Sequence, residues 1–360
     1  MLDYNTEMIT LTHQVCSYRR KLGELSVYAF AEIYLQHHLV CEPSRMHEEL
    51  FELLNEATFN RNERIAIAAP RGHAKSTIVS LAYVLWCVLY GHEDHVLLIS
   101  ATQEQAAQHL ATIRDELASN QLLKADFPEL NQPRGQGKPD TNRKNAISIA
   151  GRALVRSLGT NQGVRGLKHG KDRPGLIILD DVENHEQCIS AEQRQKTLDW
   201  FQRTVLKAGH EKTNVIVVGT ILHYDSLLAR LTSTELGESK GVGWTKRIYR
   251  AVESFADRSD LWDRWQSIRF SEEVYKDRSG PDASDEFFED HADQMLSGAS
   301  VLWPEREGYL HLMKMRSDEG RLSFQAEKQN EPLDPDECIF SESSFRFWDE
   351  EFDSIDALLK

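Results

Sequence analysis

Residues 65–77, IAIAAPRGHAKST, carry an apolar strand into a turn of small residues, then a lysine, two hydroxyls and a helix. That order suits phosphate binding. Backbone N–H groups of the turn and of the helix start converge on phosphate oxygens, Lys75 supplies positive charge for β- and γ-phosphates, and the Ser76 hydroxyl can ligate Mg²⁺. The glycines of the common pattern GxxxxGK(S/T) are replaced by Ala69 and Ala74, and an alanine before the lysine restricts the backbone more than glycine does. Taken alone, the segment also fits a strand-turn-helix with a solvated lysine.

A second stretch, LIILDDVEN at 176–184, ends an apolar run in Asp180 and Asp181, with Glu183 two positions on. A P-loop enzyme needs one carboxylate at a strand end to hold Mg²⁺ and another to orient the attacking water. Acids after a strand also serve as helix N-caps, but the loop and the acid pair together point to nucleotide binding. A third stretch, VIVVGTILHYD at 215–225, puts Thr220 at a strand tip, where a hydroxyl can sense the γ-phosphate.

Four apolar strands must position these groups: 65–69, 95–100, 176–180 and 215–220. Helical spacing is read near 76–90, 103–118 and 190–207. Strands that are apolar throughout and alternate with helices imply a parallel sheet covered on both faces. The expectation is an α/β ATPase core over 61–250, preceded by a helical segment over 1–60. Residues 251–332 are expected to be an insertion and lid, of which 251–300 shows no convincing strand and is expected to be irregular or helical and mobile around KDRSGPDASDE, and 333–360 reads as a linker. No internal repeat is visible.

The chain of 360 residues has 42 Lys+Arg against 57 Asp+Glu, a net charge of −15, which excludes a protein that coats nucleic acid or an anionic membrane through its overall field. Between 131 and 175, however, ten basic residues face two acids, a local +8. Any nucleic-acid contact is therefore expected there, with Arg143, Lys144, Arg152 and Arg156 as candidates; a solvated charged face is the alternative. The five Cys are widely spaced and form no CxxC pair, so they indicate neither a disulfide framework nor a zinc site. The longest apolar run, 78–90, is too short to span a bilayer. The amino terminus lacks the basic start and apolar core of a signal peptide, and an intracellular protein with no membrane contact is expected.

APRGHAKST, the block TNQGVRGLKHGKDRPGLIILDDVE, the stretch RQKTLDWFQRTVLKAGHEKTNVIVVGTILHYDSLLARL, and then LWPE and FQAEKQNEP together resemble the ATPase half of the large terminase subunit of tailed bacteriophages or prophages. The resemblance runs in family order from about Glu42 to Pro332. It implies a P-loop NTPase of the additional-strand type with a small helical lid, using ATP and Mg²⁺ to drive double-stranded DNA into procapsids in the host cytoplasm. Lys75 and Ser76 would be the P-loop lysine and Mg²⁺ ligand within a nucleotide-binding run of Arg71, Gly72, His73, Ala74, Lys75, Ser76 and Thr77. Arg71 matches an arginine that terminases place in this loop, and Asp180 the Mg²⁺-associated acid. The family pair is Asp-Glu and here it is Asp-Asp, so the catalytic carboxylate stays open between Asp181 and Glu183. Thr220 matches the coupling motif, and Arg165 an arginine that reaches a neighbour's nucleotide in a ring. The adenine-contacting glutamine motif is not recognisable, and PSRMHEEL at 43–50 stands where it belongs.

The resemblance also implies a homo-oligomeric ring, a portal protein and a small terminase subunit as partners. Its nuclease half is expected to be missing, since the 28 residues after Pro332 cannot build a carboxylate-bearing sheet. Two other readings stay open: a small-molecule kinase with the same loop, and a nucleotide-binding assembly subunit that does not turn over.

Overall fold

The computed structural model describes residues 4–130, 142–164, 173–233 and 243–333. Helices α1 (Tyr4–Glu24), α2 (Val27–Tyr34) and α3 (Arg45–Asn60) come first. Their starts are written in the sequence: the Ser26 hydroxyl accepts from the Ala29 N–H, and the Ser44 N–H donates to His47 Nδ1 in the first turn of α3.

Strands β1 (Arg64–Ala68), β2 (His95–Ser100), β3 (Asn142–Arg143), β4 (Ala146–Ile149), β5 (Ala153–Gly159), β6 (Leu176–Asp180), β7 (Asn214–Gly219) and β8 (Thr245–Ile248) form one sheet in the order β3-β4-β5-β2-β6-β7-β1-β8. From β5 to β8 all pairings are parallel, while β3 and β4 add an antiparallel edge. Between β1 and β6 lies β7. Alternate residues of the apolar strands split between two cores. Ile65, Ile67, Val96, Leu98, Ile178 and Ile216 face one, and Ala66, Leu97, Ile99, Ile177, Leu179 and Val217 face the other. A sheet buried on both faces is the expected result of such runs.

On the first face, a π-helical stretch at Thr77–Ala82 leads into α4 (Tyr83–Tyr90), followed by α5 (Gln103–Ser119) and α6 (Gln121–Asp126). The opposite side carries α7 (His185–Ile189), α8 (Ala191–Trp200) with a π-helical continuation at Phe201–Val205, and α9 (Leu227–Thr232). Among the described residues no helix is long and apolar enough to cross a membrane.

A third apolar cluster, from Ala251 to Phe324, is built by α10 (Ser259–Arg269), α11 (Pro281–Met295), α12 (Tyr309–Asp318) and α13 (Arg321–Glu327) around Trp262, Trp265 and Phe287. The reading of 251–300 as free of strands is corrected here. β9 (Val252–Ser254) pairs antiparallel with β10 (Ser300–Val301). Three and two residues, mostly outside the core, leave no periodicity to detect. KDRSGPDASDE is tied down by Lys276 on Glu286 and Asp290 and by Arg278 on Glu286, and helix α11 starts within it at Pro281.

Candidate active site

The loop between β1 and the π-helical stretch bends through two left-handed residues, Gly72 at φ 85° and Ala74 at φ 54°. Ala74 thus adopts the backbone that a glycine would take, and the turn from left-handed to helical backbone at Ser76 makes a concavity suited to an anion. From it Lys75, only 5% exposed, reaches Thr220 Oγ1 at 3.2 Å and Asp181 Oδ2 at 3.5 Å. Thr220 in turn donates to the Ala69 carbonyl at 3.3 Å. The order β1-β7-β6 accounts for this meeting: the lysine follows β1, the threonine ends β7, and the acid follows β6.

Asp180 is buried beside the loop, with Oδ1 accepting from Ser76 Oγ at 3.0 Å and Oδ2 from Ser80 Oγ at 2.6 Å. His109 of α5 lies 3.6 Å from the same Oδ2. Hydroxyl and carboxylate oxygens on one centre are the donor set of a hard cation, so the residues fit Mg²⁺. Asp181 turns away in a left-handed conformation at φ 46°, its carbonyl accepting from the Ala101 N–H. A Cβ on Gly219 would stand 3.0 Å from Asp181 Oδ1, so glycine at the end of β7 makes room for the acid. A third of the Asp181 side chain is exposed, yet burial pushes its pKa up, with Lys75 pulling it back and Asp180 raising it further.

Glu183 points elsewhere. Its Oε2 accepts from the Leu227 N–H at 2.7 Å, at the start of α9, while Oε1 is buried with no hydrogen-bond partner among the described residues. Burial raises its pKa to about 7, against the pull of the Leu227 and Leu228 backbone N–H groups.

Sequence reasoning missed what backs the loop. His47 Nδ1 accepts from the Ser44 N–H, so the proton sits on Nε2, which donates to the His73 carbonyl at 3.1 Å. Trp303 lies edge-on against His47, and its Nε1 donates to the Glu42 carbonyl. Burial drives the His73 imidazole down to about 4 despite the nearby Glu307, so it is neutral near pH 7. On the other side, Lys328 Nζ bonds the Arg71 carbonyl at 2.9 Å and Glu307 at 2.6 Å. The Arg71 N–H donates to the Glu327 carbonyl, and its exposed guanidinium reaches Glu327 Oε1, which His185 also contacts. Asn330 joins β7 to the end of β8, accepting from the Ile221 N–H and donating to the Tyr249 carbonyl. LWPE and FQAEKQNEP carried the signal as words, but their contacts to the loop and to its backing, from Trp303 to Glu42 and from Glu327 and Lys328 to Arg71, lie more than 250 residues away in the chain.

Two clefts flank the loop. One of about 340 Å³ is lined by Arg71, Gln105, Asp181, Glu183, Thr220 and Glu327. The other, of about 200 Å³, is bordered by Ala74, Ile78, Gln36, Pro43, His47 and Trp303, so part of PSRMHEEL does wall a cavity next to the loop. Arg165 lies outside the described residues. The four basic candidates do not gather into one patch. Arg143 and Lys144 are exposed in the β3-β4 hairpin, and Arg156 is half-buried within β5, its Nε without a partner among the described residues. Arg152, at the opposite end of β5, donates to the Val88 and Leu89 carbonyls in the last turn of α4.

No family model matches the sequence, and no curated protein does. Among solved structures the chain is similar to the large terminase of bacteriophage HK97, at 15% identity and a TM-score of 0.40 over 72% of this chain and 50% of that one. It is also similar to the large terminase ATPase domain of Thermus phage P74-26, at 12% identity and a TM-score of 0.38 over 81% of this chain and 100% of that domain. A large terminase from a thermophilic bacteriophage, in complex with ADP, matches at 10% identity and a TM-score of 0.35 over 57% and 46%. The chain therefore spans half the length of the HK97 protein and all of the P74-26 domain. All three carry the name of the family that the sequence motifs resemble.

Proposed function

We propose that the chain is the ATP-hydrolysing motor domain of a viral DNA-packaging terminase. The observation that carries the hydrolytic part is the single ammonium of Lys75 set between Thr220 and Asp181, beside an Asp180 held by Ser76 and Ser80. Lys75 and the backbone from Gly72 to Thr77 bind and orient the phosphates. Mg²⁺, held by Ser76 and Asp180, would offset the charge on the β- and γ-phosphate oxygens. Asp181, at the mouth of the larger cleft, orients the attacking water and takes its proton. Thr220, bonded to Lys75 and seated at the tip of β7, senses whether the γ-phosphate is present. Glu183 is assigned to the α9 start and not to the water. Arg71 lines the same cleft and is available to the phosphates once it leaves Glu327.

The packaging part rests on the sequence motifs. It brings double-stranded DNA, a portal protein, a small terminase subunit and a ring in which Arg165 acts on a neighbour's nucleotide. The test is steady-state ATP hydrolysis by the chain with and without linear duplex DNA, with Lys75→Ala as control. DNA-stimulated turnover that the control abolishes is the expected result. Nucleotide binding without turnover would favour the assembly-subunit reading, and stoichiometric phosphorylation of a small molecule the kinase.

A further inference from the structure

Away from the phosphate loop, two adjacent histidines and a glutamate 78 residues further on converge on one point. His37 Nε2 lies 2.8 Å and His38 Nε2 3.0 Å from the same oxygen, Glu116 Oε1. The three donor atoms all lie within 4.8 Å of one another. The histidines sit in a short 3₁₀ turn, Gln36–His38, between α2 and α3, and the glutamate lies on the last turns of α5.

We propose that His37, His38 and Glu116 form a binding site for a divalent transition-metal ion of the zinc type. Two imidazoles and a carboxylate are a recurrent three-ligand set for zinc, with donor-metal distances of roughly 2.0–2.2 Å, which in a tetrahedron put the donors about 3.3 Å apart. The two N···O separations, 2.8 and 3.0 Å, are shorter than that and the two imidazole nitrogens lie within 4.8 Å of each other, so side-chain adjustments must spread the donors around an ion. The carboxylate is oriented from behind, as metal ligands usually are. Its other oxygen accepts from Asn120 Nδ2 at 2.8 Å, and the same amide donates to the Tyr34 carbonyl at 2.7 Å, which ties Glu116 to the end of α2. The side chain of Glu116 is 10% exposed and that of His37 55%, giving a fixed inner ligand and an open approach for the ion. Soft thiolate ligands are not part of this set; Cys41, the nearest cysteine in sequence, is not among the converging groups.

The location gives the ion something to hold. Gln36 and His38 wall the smaller cleft next to Ala74, and the ion would fasten that wall to α5, whose His109 lies near Asp180 two turns earlier. The site is independent of whether the chain hydrolyses ATP.

The test is Zn²⁺ titration of the whole chain against a chromophoric chelator, with Co²⁺ spectra to report the ligands. One ion per chain is expected, with cobalt d–d bands and without the thiolate charge-transfer band that a Cys ligand would produce. His37→Ala is the decisive variant, because its exposed side chain leaves the fold intact, and it should weaken binding at least 100-fold. Asn120→Ala should cost about 10- to 100-fold as an outer partner. No stoichiometric binding by the wild-type chain, an unchanged affinity in His37→Ala with normal circular dichroism, or a thiolate band would each overturn the proposal and leave a hydrogen-bonded trio.

Discussion

At Ala74 a side chain sits where the backbone is left-handed, a conformation that costs an L-residue roughly 1–2 kcal/mol. Glycine would relieve that strain but add unfolded-state entropy of about 0.4–1 kcal/mol, so relief outweighs the entropy by at most about 1.6 kcal/mol. Ala74→Gly should keep its melting temperature within a few degrees and retain turnover, whereas Ala74→Val, β-branched at positive φ, should lose both; thermal melts and steady-state kinetics decide. The two candidate carboxylates separate by what they touch. Asp181 faces Lys75, and Asp181→Asn should slow hydrolysis by roughly 10²–10⁴. Glu183 faces the α9 backbone, so Glu183→Gln should leave turnover near normal and change stability instead. Its carboxyl titrates near about 7 in the fold and at the ordinary 4.5 when unfolded. Between those values the folded chain holds a proton that the unfolded chain has lost, and stability falls as pH rises through the window. The amide has no such dependence, so denaturant melts should show Glu183→Gln gaining on wild type from pH 5 to pH 8 by up to about 3 kcal/mol. A flat difference across that range, or lost turnover in Glu183→Gln, would return Glu183 to the catalytic position.

The elements that hold the loop come from both ends of the described chain: α3 supplies His47 against the His73 carbonyl, and α13 leads into Lys328 against the Arg71 carbonyl. Lys328 and Glu307 are a buried pair, with side chains 6% and 11% exposed. Removing one partner strands the other charge, so Lys328→Met should destabilise by about 3–5 kcal/mol, while Lys328→Met with Glu307→Met should recover most of that loss. Equal stabilities for the single and double variants in urea would show that the pair is not coupled. The same contrast marks what the sequence could show. β1, β2, β6 and β7 were legible because each is an apolar run buried on both faces, and α5 because its apolar positions recur at helical spacing. The short edge strands β3, β4, β9 and β10 carry too few residues to show a period. Lys75, Asp180, Asp181 and Thr220 were legible as chemistry at strand ends. Ser80, one helical turn beyond Ser76, could have been found from that spacing, but no local pattern says that His47, Lys328 or Glu116 meets its partner, because those contacts depend on how distant elements pack.

For the whole molecule the question is where a chain of net charge −15 would meet an anionic polymer. The four candidate arginine and lysine residues among the described part of the basic stretch do not share one surface. Arg143 and Lys144 protrude from the hairpin at the β3 edge, with Asn145 bonded back to Ser157 and Ala146 opposite Arg156, towards the end of the sheet where the phosphate loop lies. Arg152 precedes β5 at the far end and bonds the last carbonyls of α4, a role that complements the helix C-terminus. If duplex DNA is the substrate of the motor, its phosphates should be met by the first two residues and not by the third. Each neutralised contact lowers the slope of log affinity against log salt by about 0.9. Arg143→Ala with Lys144→Ala should therefore reduce the slope by roughly two while leaving the melting temperature near wild type. Arg152→Ala should leave the slope unchanged and lower stability by about 1–2 kcal/mol, because the Val88 and Leu89 carbonyls lose a charged donor. Fluorescence anisotropy on a short labelled duplex at several salt concentrations, paired with thermal melts, reads both quantities. An unchanged slope in the double variant, or a reduced slope in Arg152→Ala at full stability, would move the DNA path away from the β3 edge.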